Sequence, residues 1–215
     1  YEITYGDWSS DVCSSDLGRE LRSIFASPIA YVVLTGFLLL GGWFFFNLLA
    51  RFNLLVSMYS NFQGNAEAAQ RLNVNDMVLG PLLHNLSVVL IILVPMITMR
   101  SFAEEKRAGT YELLLTSPVS IWEIVLGKFL GNAAFVTVMV ALTAIYGAIL
   151  AAYGNPELGI MASGYAGLWL LALAFVAIGL FASSLTDNQI IAAVVALVAM
   201  LLLFVVGDRK STRLN

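Results

Sequence analysis

Charge is scarce in this chain: only 12% of its 215 residues are Asp, Glu, Lys or Arg, against 60% hydrophobic, with a mean hydropathy of +0.86. A water-soluble domain of this length carries about twice that share of charge, so a soluble fold is excluded at the outset. The net charge of -3 leaves no basic surface for nucleic acid. Cys13 is the single cysteine and His84 the single histidine, which rules out an internal disulfide, a redox pair and a Cys/His zinc cluster. A phosphate-binding loop is also missing. The Gly127-Lys128 pair has Trp122 where the loop's first glycine belongs and Phe129 where its hydroxyl belongs. Zinc-protease, nucleophile-elbow and kinase motifs are likewise absent, so no residue is assigned a catalytic or metal-ligating role and no cofactor is expected on this chain.

What is present is long apolar runs. A membrane helix needs about 20 apolar residues to cross a hydrocarbon core of about 30 Å. Five stretches qualify, 28–50, 77–99, 124–152, 163–183 and 188–206, which gives an all-α, polytopic membrane helix bundle. Ser27-Pro28 reads as an N-cap and a proline at the first helical position. Ser120 to Glu123, with Val119 and Ile124 as a hydrophobic staple, reads as a capping box before the third span, and Thr186 to Gln189 repeats that pattern before the fifth. Pro81 and Pro95 each delete a hydrogen bond in the second span, and a kink is expected near Pro95. Gly127 and Gly131 have a spacing that permits close helix approach, although that spacing is common in apolar helices. Before the first span, Leu21, Ile24 and Phe25 share one helical face, the pattern of an interfacial elbow helix.

The ends of the chain read differently from its middle. SSDVCSSDL at the front and GDRKSTRLN at the back resemble translated sequencing-adapter read-through. Residues 1–17 and 208–215 are therefore expected to be non-native, flanking one membrane domain over 18–207. Cation placement orients that domain. Arg19, Arg22, Arg100, Lys106, Arg107 and Lys128 fall on one side, and Arg51 and Arg71 on the other, in the 51–76 loop. Six against two puts the 100–123 loop in the cytoplasm.

That loop is the most informative segment. Arg100 to Pro118 reads RSFAEEKRAGTYELLLTSP and concentrates Glu104, Glu105, Lys106, Arg107 and Glu112 between two spans. Gly109 interrupts the helical pattern, Thr110 can cap a new turn, and Glu112 complements that turn's dipole. Periodicity alone is also satisfied by a solvated charge run followed by an interfacial turn.

The stretch from Ile97 to Gly131, ITMRSFAEEKRAGTYELLLTSPVSIWEIVLGKFLG, resembles the coupling region of ABC-2 type permeases, especially the branch associated with bacterial gliding motility. Phe175 to Ala193, FVAIGLFASSLTDNQIIAA, is similar to the junction of the fourth and fifth spans in the same proteins. With RELRSIFASPIAY at the elbow, the likeness covers nearly all of 18–206. The resemblance implies that Glu104, Glu105, Arg107, Gly109, Thr110 and Glu112 belong to a cytoplasmic coupling helix that docks on a separate ATP-binding cassette ATPase subunit. ATP and Mg would bind that partner. It also implies a second permease, identical or paralogous, and a bacterial inner membrane. Such permeases usually carry six spans, so the five found here imply a truncated copy.

Few polar residues interrupt the spans. His84 and Asn85 are candidates for the substrate path or a gate, with an interhelical hydrogen bond as the plainer role. Asn47 and Asn132 are expected to tie helices together, and Lys128 to snorkel to the headgroups. A stand-alone secondary transporter or channel is the alternative function. It is disfavoured because the acids of the membrane domain fall in loops or at helix ends, where an ion-coupled carrier would place some at the midplane.

Overall fold

A computed structural model describes residues 28–63, 75–99, 101, 121–153 and 157–212. Among them are helices α1 (Pro28–Gln63), α2 (Gly80–Thr98, entered through a π turn over Asn75–Leu79), α3 (Ile121–Tyr153), α4 (Leu158–Leu185) and α5 (Gln189–Thr212). No strand occurs among the described residues. All five helices are long and apolar enough to span a bilayer, and the protein is an all-α, multi-pass membrane helix bundle. The expected elbow and coupling helices, and the 1–17 segment, lie outside the described residues.

The helices outrun the apolar stretches. α1 continues to Gln63 instead of ending at residue 50, so Arg51 belongs to a helix and not to a connecting loop. Its 36 residues rise about 54 Å, well past a hydrocarbon core of about 30 Å. From Pro28 to Arg51 the rise is already about 35 Å, so the arginine still clears the core. α4 likewise begins at Leu158, five residues before the expected 163, with the Met161 N–H donating to the Glu157 carbonyl at 3.1 Å.

Pro81 is second in α2, directly after the π turn. Its ring cannot donate to the carbonyl four residues back and crowds it, and a turn widened to i→i−5 bonding makes room there. Pro95 is buried farther along α2, and its carbonyl accepts the Met99 N–H at 2.9 Å. The start of α5 corrects the expected capping box. Asn188 is the N-cap, its Oδ1 accepting the Ile190 N–H at 3.0 Å, while Thr186 Oγ1 accepts the Asn188 N–H in a turn one step earlier. Gln189 is therefore the first residue of the helix, too early to close a box.

The chain divides into two compact units. Among the described residues, one comprises 28–31, 91–99, 101, 121–136 and 172–212, and the other 32–63, 75–90, 137–153 and 157–171. In the first, Val94, Phe135, Val136, Phe175, Val176, Ala196 and Met200 are fully or almost fully buried. In the second the same holds for Phe37, Phe45, Val78, Leu79, Leu82, Leu86, Leu90 and Met139. Leu82, Leu86 and Leu90 recur every fourth residue, as do Ala192, Ala196 and Met200, so each helix buries one stripe and leaves the rest apolar for lipid.

Candidate functional site at the α2–α3 junction

The charged segment expected to be functional leaves α2 near Ser101 and enters α3 at Ile121. Glu104, Glu105, Arg107, Gly109, Thr110 and Glu112 all lie outside the described residues. What the structure places is the pair of helix ends that carry them. Asn132, 2% exposed on α3, donates one amide hydrogen to the Ser101 hydroxyl at 2.9 Å and the other to the Lys128 carbonyl at 2.8 Å. With both hydrogens engaged, the amide has a fixed orientation.

The exit of α2 is held from α4 as well. The last four carbonyls of a helix lack partners within it. Ser183 Oγ donates to the Met99 carbonyl at 3.1 Å, from a residue with no exposed surface. One turn earlier on α4, Gly179 faces Thr98 so closely that a Cβ there would stand 2.9 Å from the Thr98 Cβ. Only glycine fits that crossing. Thr98 itself turns its hydroxyl to the Val94 carbonyl at 3.0 Å, so the contact buries no hydroxyl without a bond.

Several readings of single residues change. Lys128 is 4% exposed, so its side chain lies within the protein and does not snorkel; the helical face it occupies, not its closeness to a span end, decides this. Asn132 ties helices as expected, but Asn47 does not. Its amide donates to the Trp43 carbonyl on its own helix at 2.8 Å, on an exposed face. Gly127 has open space where a Cβ would go, so the close approaches fall elsewhere, at Gly179 in this unit and at Gly41, Gly42, Gly147 and Gly164 in the other.

In that second unit, His84 is exposed on α2 and Asn85 is half-buried. The His84 backbone carbonyl accepts from Ser87 Oγ at 2.7 Å. The unit is braced by aromatic donors that sequence reasoning passed over. Tyr146 Oη donates to the Leu38 carbonyl at 2.7 Å, Tyr165 Oη to the Thr143 carbonyl at 3.0 Å, and Trp169 Nε1 to Thr137 Oγ1 at 2.9 Å. Each of these residues sits in an apolar run, where a ring's polar tip needs a partner, and that need is the only signal in the sequence that could have found them. An apolar groove of about 840 Å³ runs along α1 beside Leu38, Leu39, Trp43, Phe46 and Tyr146.

The family model described as ABC-2 family transporter protein matches residues 19–209, the described spans included. The chain belongs to this family. Neither the curated proteins nor the solved structures gave a match. Membership makes the chain a membrane-embedded transport subunit of the ABC type, whose family works with an ATP-binding cassette partner. Among the described residues of this ABC-2 chain the acids are Asp76, Glu123, Glu157, Asp187 and Asp208, each in a turn or within about a turn of a helix end. Among the described residues no three His, Cys, Asp or Glu side chains gather as a metal site.

Proposed function

We propose that this ABC-2 chain is the permease of an exporter powered by ATP hydrolysis on a separate cytosolic subunit, in a bacterial inner membrane. Glu104, Glu105, Arg107, Gly109, Thr110 and Glu112 form the contact with that subunit, which binds ATP and Mg. The observation that supports the reading is the place of the charged segment. It joins α2 to α3 within the stretch that matches the family, and the exit of α2 that carries it is tied by buried polar side chains of α3 and α4. A tethered segment gripped by a partner transmits movement only if the partner binds it differently with and without ATP, and this supplies the drive.

Two such permeases, identical or paralogous, would flank the cargo path. His84 is a candidate for its lining or gate, since an imidazole on an exposed face of a span is expensive in lipid and cheaper against water, cargo or a second subunit. The likeness of Ile97 to Gly131 to the coupling region of the gliding-motility branch supports reading the exporter as a relative of that group.

Capture of the ATPase by tagged, complete permease tests the reading. The ATP-binding cassette protein encoded beside it is expected to co-purify. Glu104→Lys combined with Glu105→Lys is expected to weaken capture by about tenfold or more, because like charges then face each other across the contact. Full recovery with that variant contradicts the assigned contact, and no capture by the unaltered chain contradicts the reading itself.

A further inference from the structure

We propose that Ser101, Asn132 and Ser183 are positioning residues that lock the exit of α2, the first turns of α3 and the matching turns of α4 into one block, which the 102–120 segment moves as a unit. The proposal rests on the coupling role given above and adds how movement enters the spans.

Three features of the first unit carry it. Asn132 lies eleven residues into α3, about 16 Å along its axis from Ile121, yet bonds to Ser101 just past the end of α2. The exit of α2 is therefore joined directly to a point well inside α3, not only through the segment. Ser183 then occupies the Met99 carbonyl, an acceptor α2 cannot satisfy from within, so α4 shares whatever displaces α2. Gly179 against Thr98 removes the clearance that sliding of α4 along α2 would need.

The setting strengthens each tie. Thr98, Asn132 and Ser183 are buried, and in the same unit so are Val94, Phe135, Val136, Phe175, Val176 and Leu180, whose side chains offer no donor or acceptor, and Lys128, whose ammonium offers a donor but no acceptor. A helix-by-helix movement would have to strand an amide, a hydroxyl and a carbonyl in apolar surroundings on every cycle. A movement of the whole block strands none.

The test uses the permease–ATPase complex isolated through a tag on the permease, with Cys13→Ser as background. If no ATPase is captured, the coupling reading fails and this proposal falls with it. In the captured complex, Ser101→Cys with Asn132→Cys is oxidised to a disulfide and then reduced. ATP turnover is expected to be unchanged or higher when the bridge is closed, because the two ends stay together throughout the cycle. A reductant-reversible fall of about tenfold on oxidation overturns the proposal, since it means that the ends must separate. Independently, spin labels at Leu126 on α3 and Ser184 on α4, both exposed, are expected to keep their mean separation to within about 2 Å between nucleotide-free and ATP-bound complexes. A larger shift overturns the block even if the cysteine pair fails to fold. Asn132→Leu is expected to broaden that distance distribution, and an unchanged width also counts against it.

Discussion

The Tyr146 hydroxyl donates to the Leu38 carbonyl at 2.7 Å while its ring lies on Gly41 and Gly42 and stacks with Phe45 at 5.4 Å between centroids. The tyrosine fits because the glycines leave room: a Cβ at Gly41 would stand 3.2 Å from the ring, and one at Gly42 3.3 Å from the hydroxyl oxygen. Tyr146→Phe keeps the stacking and loses only the hydrogen bond. It is expected to cost about 0.5–1.5 kcal/mol, the range for interhelical bonds in membranes. Tyr146→Ala also loses the ring and is expected to cost more. Thermal unfolding in detergent or nanodiscs measures both.

Gly179 and Gly127 are predicted to part company. Gly179→Ala drives a methyl into Thr98 and is expected to destabilise by about 1–3 kcal/mol, the usual cost of overpacking. Gly127→Ala meets open space and is expected to be neutral. Unfolding midpoints of the two variants, compared side by side, decide it.

Asn188 carries the start of α5. Asn188→Ala removes the acceptor for the Ile190 N–H and is expected to cost about 1 kcal/mol, whereas Gln189→Ala, at a position without a capping role, is expected to cost nothing measurable. A stability loss at Gln189 equal to that at Asn188 would restore the box that starts at Thr186.

Lys128 tests burial near the start of α3. In a Cys13→Ser background, Lys128→Cys is expected to react with a bulky, charged maleimide at least about tenfold more slowly than Trp122→Cys, because Trp122 is 76% exposed and Lys128 4%. Equal rates would mean that position 128 reaches the headgroup region after all.

The number of spans was legible because the bilayer requires apolar length and the sequence supplies it five times. The helix ends were not. Hydropathy registers where the hydrocarbon stops, whereas Phe52, Asn53, Leu54 and Leu55 continue the backbone hydrogen bonding of α1 beyond Arg51. Thr186 and Asn188 are both competent caps, and only the turn geometry chooses between them. Sequence spacing pointed to Gly127 and Gly131 because it marks small residues, but it cannot tell which of them a neighbour approaches. Of the candidate site, the charge pattern and its family likeness were readable, and so was Asn132 as a tie between helices. Ser101 and Ser183 were not, because a serine in or beside a span gives no sign of which carbonyl or amide it will meet until the helices are packed.

Sidedness of the α2–α3 segment bears most directly on the account. A single cysteine in place of Thr110, with Cys13→Ser, is to be labelled in intact cells by a membrane-impermeant maleimide before and after permeabilisation. A cytosolic coupling segment predicts no labelling until the membrane is opened and full labelling afterwards. Labelling of intact cells would place the segment outside, beyond the reach of a cytosolic ATPase, and would contradict the proposed coupling.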